Sequence, residues 1–435
     1  MERYSSYKAT SMQWLKEIPS HWEIEPFARH FSYGKGLPIT KADLTQEGVA
    51  VISYGQVHSK LNKGTTISDE LVRFVSPNYI ESHPQCLLNN GDFVFADTSE
   101  DIEGSGNFAF NDYTNRIFAG YHTVVAKPKD LPYPIYHAYL FQSLNWKSQI
   151  QSLVNGVKVY SIGKGHLKKS YLLLPPLAEQ EKIVSYLENK TSKIDAYVAD
   201  KEKEIQLLQE LKQETIAEAV TKGLNPNVKM KDSGISWLGM IPDHWEIKKI
   251  GSLFTERREK VSDKDFPALS VSKQGITPQL ETAVKTDNGD NRKKVCKDDF
   301  VVNSRSDRKG SCGVSPYTGS VSLINIVLSP RNNIEVQYFH HLFRSNDYIE
   351  EYYRIGRGIV ADLWTTRYSE MRNIMVPLPP LGEQQSIVAY IEEKCQKIDT
   401  LITELQTEID YLKEYKQRLI ADVVTGQVNV QNETI

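Results

Sequence analysis

The sequence contains the same helix-start motif twice, at a constant spacing. Residues 174–195 read LPPLAEQEKIVSYLENKTSKID and residues 378–399 read LPPLGEQQSIVAYIEEKCQKID, so 14 of the 22 positions are identical at an offset of 204. A second pair, WLKEIPSHWEI at 14–24 and WLGMIPDHWEI at 237–247, recurs at an offset of 223. Because a repeat of this length sets the architecture, we expect two related halves. Each half has a His-Trp segment, a variable segment, a Pro-Pro motif and a long helix.

Each Pro-Pro motif begins a long amphipathic pattern, which predicts helices over about 178–223 and 382–425. Proline fits the approach to a first helical turn, and Gly223 and Gly426 fit the helix ends. Apolar residues at spacings of three and four are typical of a coiled coil. Two such stripes in one chain bury each other, and we expect an antiparallel pair; the alternative is two ordinary domain helices that are long. The apolar positions are Ile183, Leu187, Ile194, Val198, Ile205, Leu208 and Ile216, and then Ile387, Ile391, Ile398, Ile402, Ile409, Leu412 and Ile420.

The variable segments between the repeated motifs contain short β-like runs and one candidate helix each. DFVF at 92–95 and DFVV at 299–302 form a possible common element. The predicted fold class is α+β, with two α+β domains of about 130–150 residues related by a pseudo-twofold axis and joined by an antiparallel coiled coil. The expected boundaries are an N-terminal segment at 1–24, a first domain at 25–172, a central region at 173–247, a second domain at 248–376 and a C-terminal region at 377–435.

The net charge of −3 hides local differences. Counting Lys and Arg against Asp and Glu gives +5 for 248–376 and +1 for 25–172, but −3 for 179–222 and −4 for 383–424. The acidity therefore lies in the predicted helices, and one variable domain is mildly basic, which permits nucleic-acid binding. The four cysteines form no C-x-x-C pair, which argues against zinc and disulfides. Without a signal-peptide pattern or an apolar run of spanning length, a cytoplasmic location is expected.

Basic clusters in the variable segments are candidates for DNA contacts. NSRSDRKGS at 303–311 places three basic residues among small ones, as a flexible loop entering a groove would. Phosphate contacts position such a loop, and bidentate arginine specifies guanine; the alternative for each residue is a solvated surface charge. The candidates are Lys158, Tyr160, Lys164, Lys168 and Lys169 in the first domain, and Arg257, Arg258, Arg292, Lys293, Lys294, Arg305, Arg308, Lys309, Arg354, Arg357 and Arg367 in the second.

Three other patterns have residues that could form a chemical site. GVKVYSIGKG at 156–165 lacks the spacing and the Ser or Thr of a phosphate-binding loop, and the sequence has no Asp- or Asn-Pro-Pro-Tyr methylase motif. The acidic run ADTSEDIEG at 96–104 could hold a metal, but a solvated loop is favoured because no basic or histidine partner is close in sequence. His21 and His244, each beside a tryptophan, are expected to be packing residues. The sequence predicts no catalytic residue and no metal site.

The paired motifs PLPPLGEQQSIVAYIEEKCQKID and LLPPLAEQEKIVSYLENKTSKID, with IPSHWEI and IPDHWEI, resemble the conserved regions of type I restriction–modification specificity subunits. The resemblance covers the whole chain and implies a non-catalytic subunit. Each variable segment would be a target-recognition domain reading one half of a split DNA sequence, and the helices would set a fixed, unread spacer.

The same resemblance implies partners: double-stranded DNA, two methyltransferase subunits that bring S-adenosylmethionine, and, where present, restriction subunits that use ATP and Mg²⁺. The chain itself would hold no cofactor. The helices would form the docking surface, with candidate residues at the helix starts: Pro175, Pro176, Glu179, Gln180, Pro379, Pro380, Glu383 and Gln384.

Two other functions stay open from the sequence. One is a coiled-coil scaffold that joins two protein-binding domains without DNA recognition. Binding to DNA that weakens log-linearly with salt would exclude it. The other is a methyltransferase or nuclease in its own right, which turnover by the chain alone would indicate.

Overall fold

The computed structural model describes residues 2–154, 159–279, 289–331, 333–358 and 364–433. The chain forms two compact units, Met1–Lys201 with Thr407–Ile435, and Glu202–Gln406. Each long helix contributes one part to each unit.

The first unit combines short strands and helices with the start of the first long helix. Its strands are β1 (Tyr7–Ala9), β2 (Glu17–Pro19), β3 (Glu23–Pro26), β4 (Phe31–Lys35), β5 (Val49–Ile52), β6 (Arg73–Val75), β7 (Phe93–Ala96), β8 (Thr98–Ser99), β9 (Phe108–Phe110), β10 (Ile117–Ala119), β11 (Thr123–Pro128), β12 (Tyr160–Ser161) and β13 (Tyr171–Leu174). Its helices are α1 (Phe27–His30), α2 (Tyr54–Val57), α3 (Tyr79–Ser82), α4 (Pro134–Gln142), α5 (Leu144–Gln151), α6 (Lys164–Lys168) and α7 (Leu177–Lys222), of which the last continues into the second unit.

The centre of the first unit is an antiparallel sheet in the order β4-β11-β7-β9. Successive side chains of a strand point to opposite faces, and both faces of β7 are covered. Phe93 and Phe95 join an aromatic cluster with Phe141 and Trp146 of α4 and α5. Val94, on the other face, packs with the second sheet, ordered β10-β5-β6. Burial on both faces explains why DFVF is apolar without alternation.

The second unit repeats this arrangement. Its strands are β14 (Met230–Asp232), β15 (Met240–Pro242), β16 (Glu246–Lys249), β17 (Phe254–Glu256), β18 (Lys260–Val261), β19 (Leu269–Ser272), β20 (Gly275–Pro278), β21 (Arg292–Val295), β22 (Phe300–Asn303), β23 (Cys312–Val314), β24 (Gly319–Val321), β25 (Asn325–Pro330) and β26 (Met375–Leu378). Its helices are α8 (Ile250–Leu253), α9 (Val336–Leu342), α10 (Asn346–Arg354), α11 (Tyr368–Met371) and α12 (Leu381–Val424), of which the last continues into the first unit.

The central sheet of the second unit has the order β17-β25-β22-β23, which matches that of the first unit strand for strand. Its strand β22 carries Phe300 and Val302 on one buried face and Val301 on the other. The DFVF and DFVV segments are therefore the equivalent central strands, and the common element expected from the sequence is confirmed. The strand before each Pro-Pro motif also pairs with an equivalent strand in its own unit: β13 pairs with β3, and β26 pairs with β16.

The two long helices are antiparallel in each unit. In the first unit, Ile183 and Leu187 near the start of α7 share a core with Leu419 and Val423 near the end of α12. In the second unit, the end of α7 packs with the start of α12 in the same way. Every predicted seam residue is buried or half-buried. Both helices begin and end one residue before the expected bounds, and the predicted fold class is confirmed.

Ion pairs between the helices also agree with the antiparallel direction. Asp195 pairs with Lys416 at 2.6 Å in the first unit, and Lys212 pairs with Asp399 at 2.7 Å in the second. Gly223 and Gly426 follow the two helices with φ of +75° and +71°. This left-handed conformation favours glycine, as expected for the helix stops.

Candidate nucleic-acid interface

Two segments distant in sequence meet just beyond the central strand of the first unit. Strand β8 follows β7 directly and pairs with β12, with Thr98 opposite Ser161. The Ile162 backbone N–H then donates to the Asp97 carbonyl at 2.7 Å. We call this meeting point the first junction.

The second unit has the same meeting point beyond β22. Arg305 is bridged to Thr365, and the Thr366 N–H donates to the Ser304 carbonyl at 3.1 Å. The offset of 204 that relates the Pro-Pro motifs also takes Ser161 to Thr365. This second junction is therefore equivalent to the first, and neither was evident from sequence because each pairing is short and long-range.

The second junction gathers four of the predicted DNA-contacting arginines. Arg357 and Thr365 exchange two backbone hydrogen bonds of 3.0 Å, which brings the 357–367 region to the loop after β22. The gathered side chains are all exposed, and they are Arg305, Arg308, Arg357 and Arg367. Their ion pairs are long: Arg308 lies 3.7 Å from Asp307, and Arg357 lies 3.7 Å from Glu370. The guanidinium groups are thus available to an anionic or acceptor-rich ligand.

Three further candidates are exposed or half-buried but engaged in shorter ion pairs. Lys309 pairs with Glu350 at 2.5 Å, Arg258 with Glu256 at 2.6 Å, and Arg354 with Glu351 at 2.6 Å. Only the Lys309–Glu350 pair is exposed on both sides, and a pair of this kind contributes typically ~0–1 kcal/mol to stability. Lys309 is therefore available to DNA phosphate at small cost, whereas the Glu256 and Glu351 side chains are only 10% and 11% exposed and need their arginines.

The structure corrects the prediction for three other candidates. Arg292 is buried and donates to the Ser320 hydroxyl and carbonyl, and burial lowers its pKa. Lys293 donates to the Asn325 carbonyl at 2.7 Å and is largely enclosed. Arg257 forms two hydrogen bonds with the buried carboxylate of Asp299, and these raise its pKa. A buried carboxylate requires such a partner, so these basic residues belong to the domain interior. Neighbouring Lys294 pairs with Glu259 at 2.9 Å.

In the first unit the candidates flank the first junction. Tyr160 is half-buried in β12, and Lys164, four residues after Tyr160, begins α6. Lys164 and Lys169 are exposed, whereas the Lys168 ammonium lies over the Tyr33 ring at 5.4 Å. Lys158 lies outside the described residues. The described lysines form a basic border next to the junction.

The first junction opens into a cavity of about 700 Å³. Its lining combines aromatic, imidazole, amide and carboxylate side chains, which are contributed by Tyr54, His58, Asn107, His122, Glu100, Asp101 and Glu103. The acidic run 96–104 thus forms a wall of this cavity: residues 100–103 are exposed, as expected of a solvated loop, and the fold adds histidine neighbours that are distant in sequence. His122 lies 3.2 Å from Asp97 and has a left-handed φ of 53°.

A chain of hydrogen bonds fixes the inner wall of the cavity. The buried Lys147 ammonium, whose pKa is lowered by burial, donates to Asn107 Oδ1 at 2.6 Å. Asn107 Nδ2 lies 3.2 Å from His58 Nδ1, and His58 Nε2 lies 2.8 Å from the Thr98 carbonyl. Because a carbonyl only accepts, Nε2 carries the proton and Nδ1 accepts from the amide. By contrast, Glu100 and Glu103 are exposed and have no side-chain partner among the residues described.

The His-Trp segments are anchored at the helix starts. His21 Nε2 lies 2.6 Å from Glu179 Oε1, and His244 Nε2 lies 2.8 Å from Glu383 Oε2. Both histidines are roughly half exposed and satisfied by these carboxylates, and the His21 ring also lies against that of Tyr4, with centroids 5.6 Å apart. Within the described part of the chain, no group of three His, Cys, Asp or Glu side chains could hold a metal ion.

Four of the eight candidate docking residues are not available at the surface. Gln180 and Gln384 are buried and donate to the carbonyls of Pro175 and Pro379, at 2.8 and 2.7 Å. These two prolines are buried as well. These four residues therefore stabilise the helix starts, and the structure corrects the prediction that they dock a partner subunit. Pro176 and Pro380 are exposed, so docking stays a prediction for them.

In each unit one buried tyrosine connects the variable domain to the end of a long helix. The sequence patterns did not single out these tyrosines. Tyr136 donates to the Val424 carbonyl at 3.0 Å, and Tyr338 donates to the Val220 carbonyl at 2.7 Å. Burial raises the pKa of both hydroxyls well above the usual value. The terminal carbonyls of a helix lack intrahelical donors, and the tyrosines supply them. Across the described residues, no helix combines the length and apolarity needed to cross a membrane.

Known proteins share this architecture of two related halves. The family model for the type I restriction modification DNA specificity domain matches the chain twice, at residues 31–207 and 242–411. The putative type I restriction enzyme MjaX specificity subunit of Methanocaldococcus jannaschii is 24% identical over 437 residues, covering 96% of both chains. The EcoKI specificity subunit of Escherichia coli is 22% identical, covering 95% of this chain and 91% of that one.

Solved structures agree on the fold. A chain from work on complex assembly and conformational transition of the type I R-M system aligns with a TM-score of 0.66 at 16% identity, covering 94% of this chain and 99% of that chain. The HsdS subunit of Thermoanaerobacter tengcongensis aligns with a TM-score of 0.50 at 17% identity, covering 94% and 98%. Two copies of the specificity domain, spanning most of the sequence, establish that the chain belongs to the type I restriction–modification DNA specificity family.

Proposed function

We propose that the chain is the DNA-recognition subunit of a type I restriction–modification enzyme and reads a bipartite target. Each unit would read one half-site, and the paired helices would fix the unread spacer between them. The observation that carries this proposal is the pair of equivalent junctions, which have the same backbone pairing but different exposed side chains. One framework with two different reading surfaces fits a DNA target with two unlike halves.

The exposed side chains of the helices support two copies of one partner. Three large apolar residues of each unit's helix segments are 45% to 67% exposed. The two sets correspond at the offset of 204, and they are Tyr197, Tyr411 and Tyr415 in the first unit, and Leu401, Leu207 and Leu211 in the second. Clustered exposed apolar residues often mark protein interaction sites. One equivalent set in each unit is what two identical methyltransferase subunits would require.

In this proposal the chain is non-catalytic and holds no cofactor. The methyltransferase subunits would bring S-adenosylmethionine and methylate adenine, and restriction subunits, where present, would use ATP and Mg²⁺. The assembly would act in the cytoplasm, where its double-stranded DNA substrate is. A chain that only joins other proteins would need none of the free arginines at the second junction.

The test is a methylome obtained by long-read sequencing of the native host and of a strain that lacks this gene. We expect methyl-adenine to disappear at one bipartite motif with a fixed gap. An unchanged methylome, with the partner methyltransferase expressed, would favour the scaffold. Loss at a continuous motif would contradict the assignment of one half-site to each unit.

A further inference from the structure

The two equivalent junctions carry opposite charge. Asp92 and Asp299 precede the central strands, so the loops that follow correspond at an offset of 207. In that correspondence Thr98 stands where Arg305 stands, and Asp101 stands where Arg308 stands. An arginine, which only donates, therefore stands in the second junction where the first has the carboxylate of Asp101, whereas Glu100 and Asp307 are acidic in both. Over the whole loop, 97–104 has only acidic charges and 304–311 is mainly basic.

This difference points to different base chemistry. In the major groove, guanine offers the acceptors O6 and N7, which suit arginine, whereas cytosine N4 and adenine N6 are donors, which suit a carboxylate. Carboxylates repel phosphate, so the acidic wall of the first cavity is unsuited to the DNA backbone. The exposed ammonium groups of Lys164 and Lys169, on the segment that continues from β12, are available for phosphate contacts beside it.

We propose that the cavity at the first junction is a base-reading site that accepts hydrogen bonds from exocyclic amino groups of cytosine or adenine. Glu100 and Glu103 make these contacts, because both are exposed and their oxygens have no partner among the described residues. The second junction reads the guanine acceptors O6 and N7 through Arg305 and Arg308. This inference rests on the proposed function and adds the chemistry by which the two half-sites differ.

The remaining lining residues hold the site in place. Asp101 Oδ1 accepts from the Gly104 N–H at 2.6 Å and so shapes the turn that carries Glu100 and Glu103. Asn107 and His58 are occupied with each other and with Lys147 and Thr98. They form a fixed wall and leave the glutamates as the free acceptors. The site thus has two reading residues on a hydrogen-bonded support.

The experiment uses the complex of the full chain with its methyltransferase and duplexes carrying the target found in the methylome. The double variant Glu100→Ala/Glu103→Ala removes both acceptor carboxylates, whereas glutamine would keep an amide oxygen that can accept from adenine N6. We expect discrimination at a cytosine or adenine of one half-site to fall by roughly 10-fold. Discrimination at the other half-site should not change. The matched control is Glu47→Ala/Glu70→Ala, which removes the same charge from exposed positions outside the cavity.

A second measurement leaves the protein unchanged. Replacing adenine by purine, or cytosine by its 2-pyrimidinone analogue, removes the amino group alone and should weaken binding at the half-site that the glutamate variant affects. In the other half-site, 7-deazaguanine should weaken binding, and Arg305→Gln/Arg308→Gln should abolish that sensitivity. Wild-type indifference to amino-group removal, or unchanged discrimination in the glutamate variant, would overturn the inference while leaving bipartite methylation intact. Absence of any bipartite methylation by the wild-type complex would overturn the proposed function and this inference together.

Discussion

Glu179 and Glu383 occupy equivalent positions in the first turns of the long helices, but their surroundings differ. Glu179 accepts from the Tyr4 hydroxyl and from the buried Trp22 indole, at 3.1 and 3.0 Å, besides its contact with His21. In the second unit, the indole nitrogen of Trp245 has no partner among the described residues. A repeated motif therefore does not ensure a repeated hydrogen-bond network.

The first prediction concerns these carboxylates. Glu179→Ala should lower the free energy of unfolding by about 1–3 kcal/mol, because it leaves the buried Trp22 donor unsatisfied. Glu383→Ala should cost less, since it removes one exposed histidine contact. Calorimetry of the two variants measures the difference, and Glu179→Gln, which keeps an acceptor oxygen, should lie between wild type and Glu179→Ala. Equal losses for the two alanine variants would contradict the prediction.

One buried and two half-buried histidines make stability depend on pH. Burial lowers the pKa of His137 to about 3, with a contribution from nearby His30, and that of His340 to about 3 and His341 to about 4. Unfolded histidine titrates near pH ~6.5. Below that pH the unfolded chain binds protons that the folded chain does not, so the stability present above pH ~6.5 is lost as pH falls towards 4.

The second prediction follows from this loss of stability at low pH. The melting temperature should fall steadily from pH ~6.5 to pH ~4.5. His137→Phe should reduce the fall, because the ring remains apolar and cannot be protonated; Phe339 occupies the corresponding position next to the anchoring tyrosine of the second unit. Thermal unfolding at several pH values measures both. An identical pH profile in the variant would exclude His137 as a source of acid sensitivity.

At the scale of elements, the long helices were predictable to one residue, because their signals are local. The prolines, the repeated apolar spacing and the terminal glycines act within a few residues of the helix they define. The central strands were visible as DFVF and DFVV for the same reason. The two-residue strands β8 and β12 were not predictable, since each exists only through pairing with a segment about 60 residues away.

The third prediction concerns the helix ends. Gly223→Ala and Gly426→Ala should each cost roughly 1 kcal/mol for the left-handed conformation. An added Cβ at Gly426 would lie 2.5 Å from Pro19 Cδ, whereas at Gly223 the nearest atoms, Glu383 Oε1 and Trp245 Cζ2, lie at 3.1 and 3.2 Å. We therefore expect Gly426→Ala to lower the melting temperature more. The reverse order would show that the Pro19 contact relaxes freely.

At the scale of the whole molecule, duplication explains why the chain has two sets of exposed apolar residues. The fourth prediction is that Tyr411→Ser/Tyr415→Ser removes one of two methyltransferase subunits, because only the set of the first unit is changed. Leu207→Ser/Leu211→Ser should remove the other. Native mass spectrometry counts the bound copies, and the variants should match the free energy of unfolding of wild type within about 0.5 kcal/mol. Retention of both copies in both variants would contradict this docking surface.

The fifth prediction concerns the spacer. Inserting one heptad at matched positions of α7 and α12 adds roughly 10 Å to each helix at ~1.5 Å per residue. If the helices set the gap, the methylated motif should gain about three base pairs at ~3.4 Å each. Methylome sequencing of a host carrying the variant measures the gap. The control is an insertion of the same seven residues in α7 alone, which disrupts the pairing of the two helices. An unchanged gap with both insertions would contradict the prediction that the helices set the gap.

The sequence by itself determined the duplication and the helix ends, and it predicted the antiparallel helix pair and the equivalence of the two central strands, which the structure then confirmed. It also located the loop that carries Arg305 and Arg308. Only the tertiary structure decided which basic residues are free, because Arg292 finds its partner in β24 and Arg257 finds its partner just before β22, both far along the chain. It likewise brought histidines to the acidic run and formed the cavity at the first junction. Local patterns fix structure over a few residues, whereas solvent exposure and long-range pairing depend on how the whole chain closes around them.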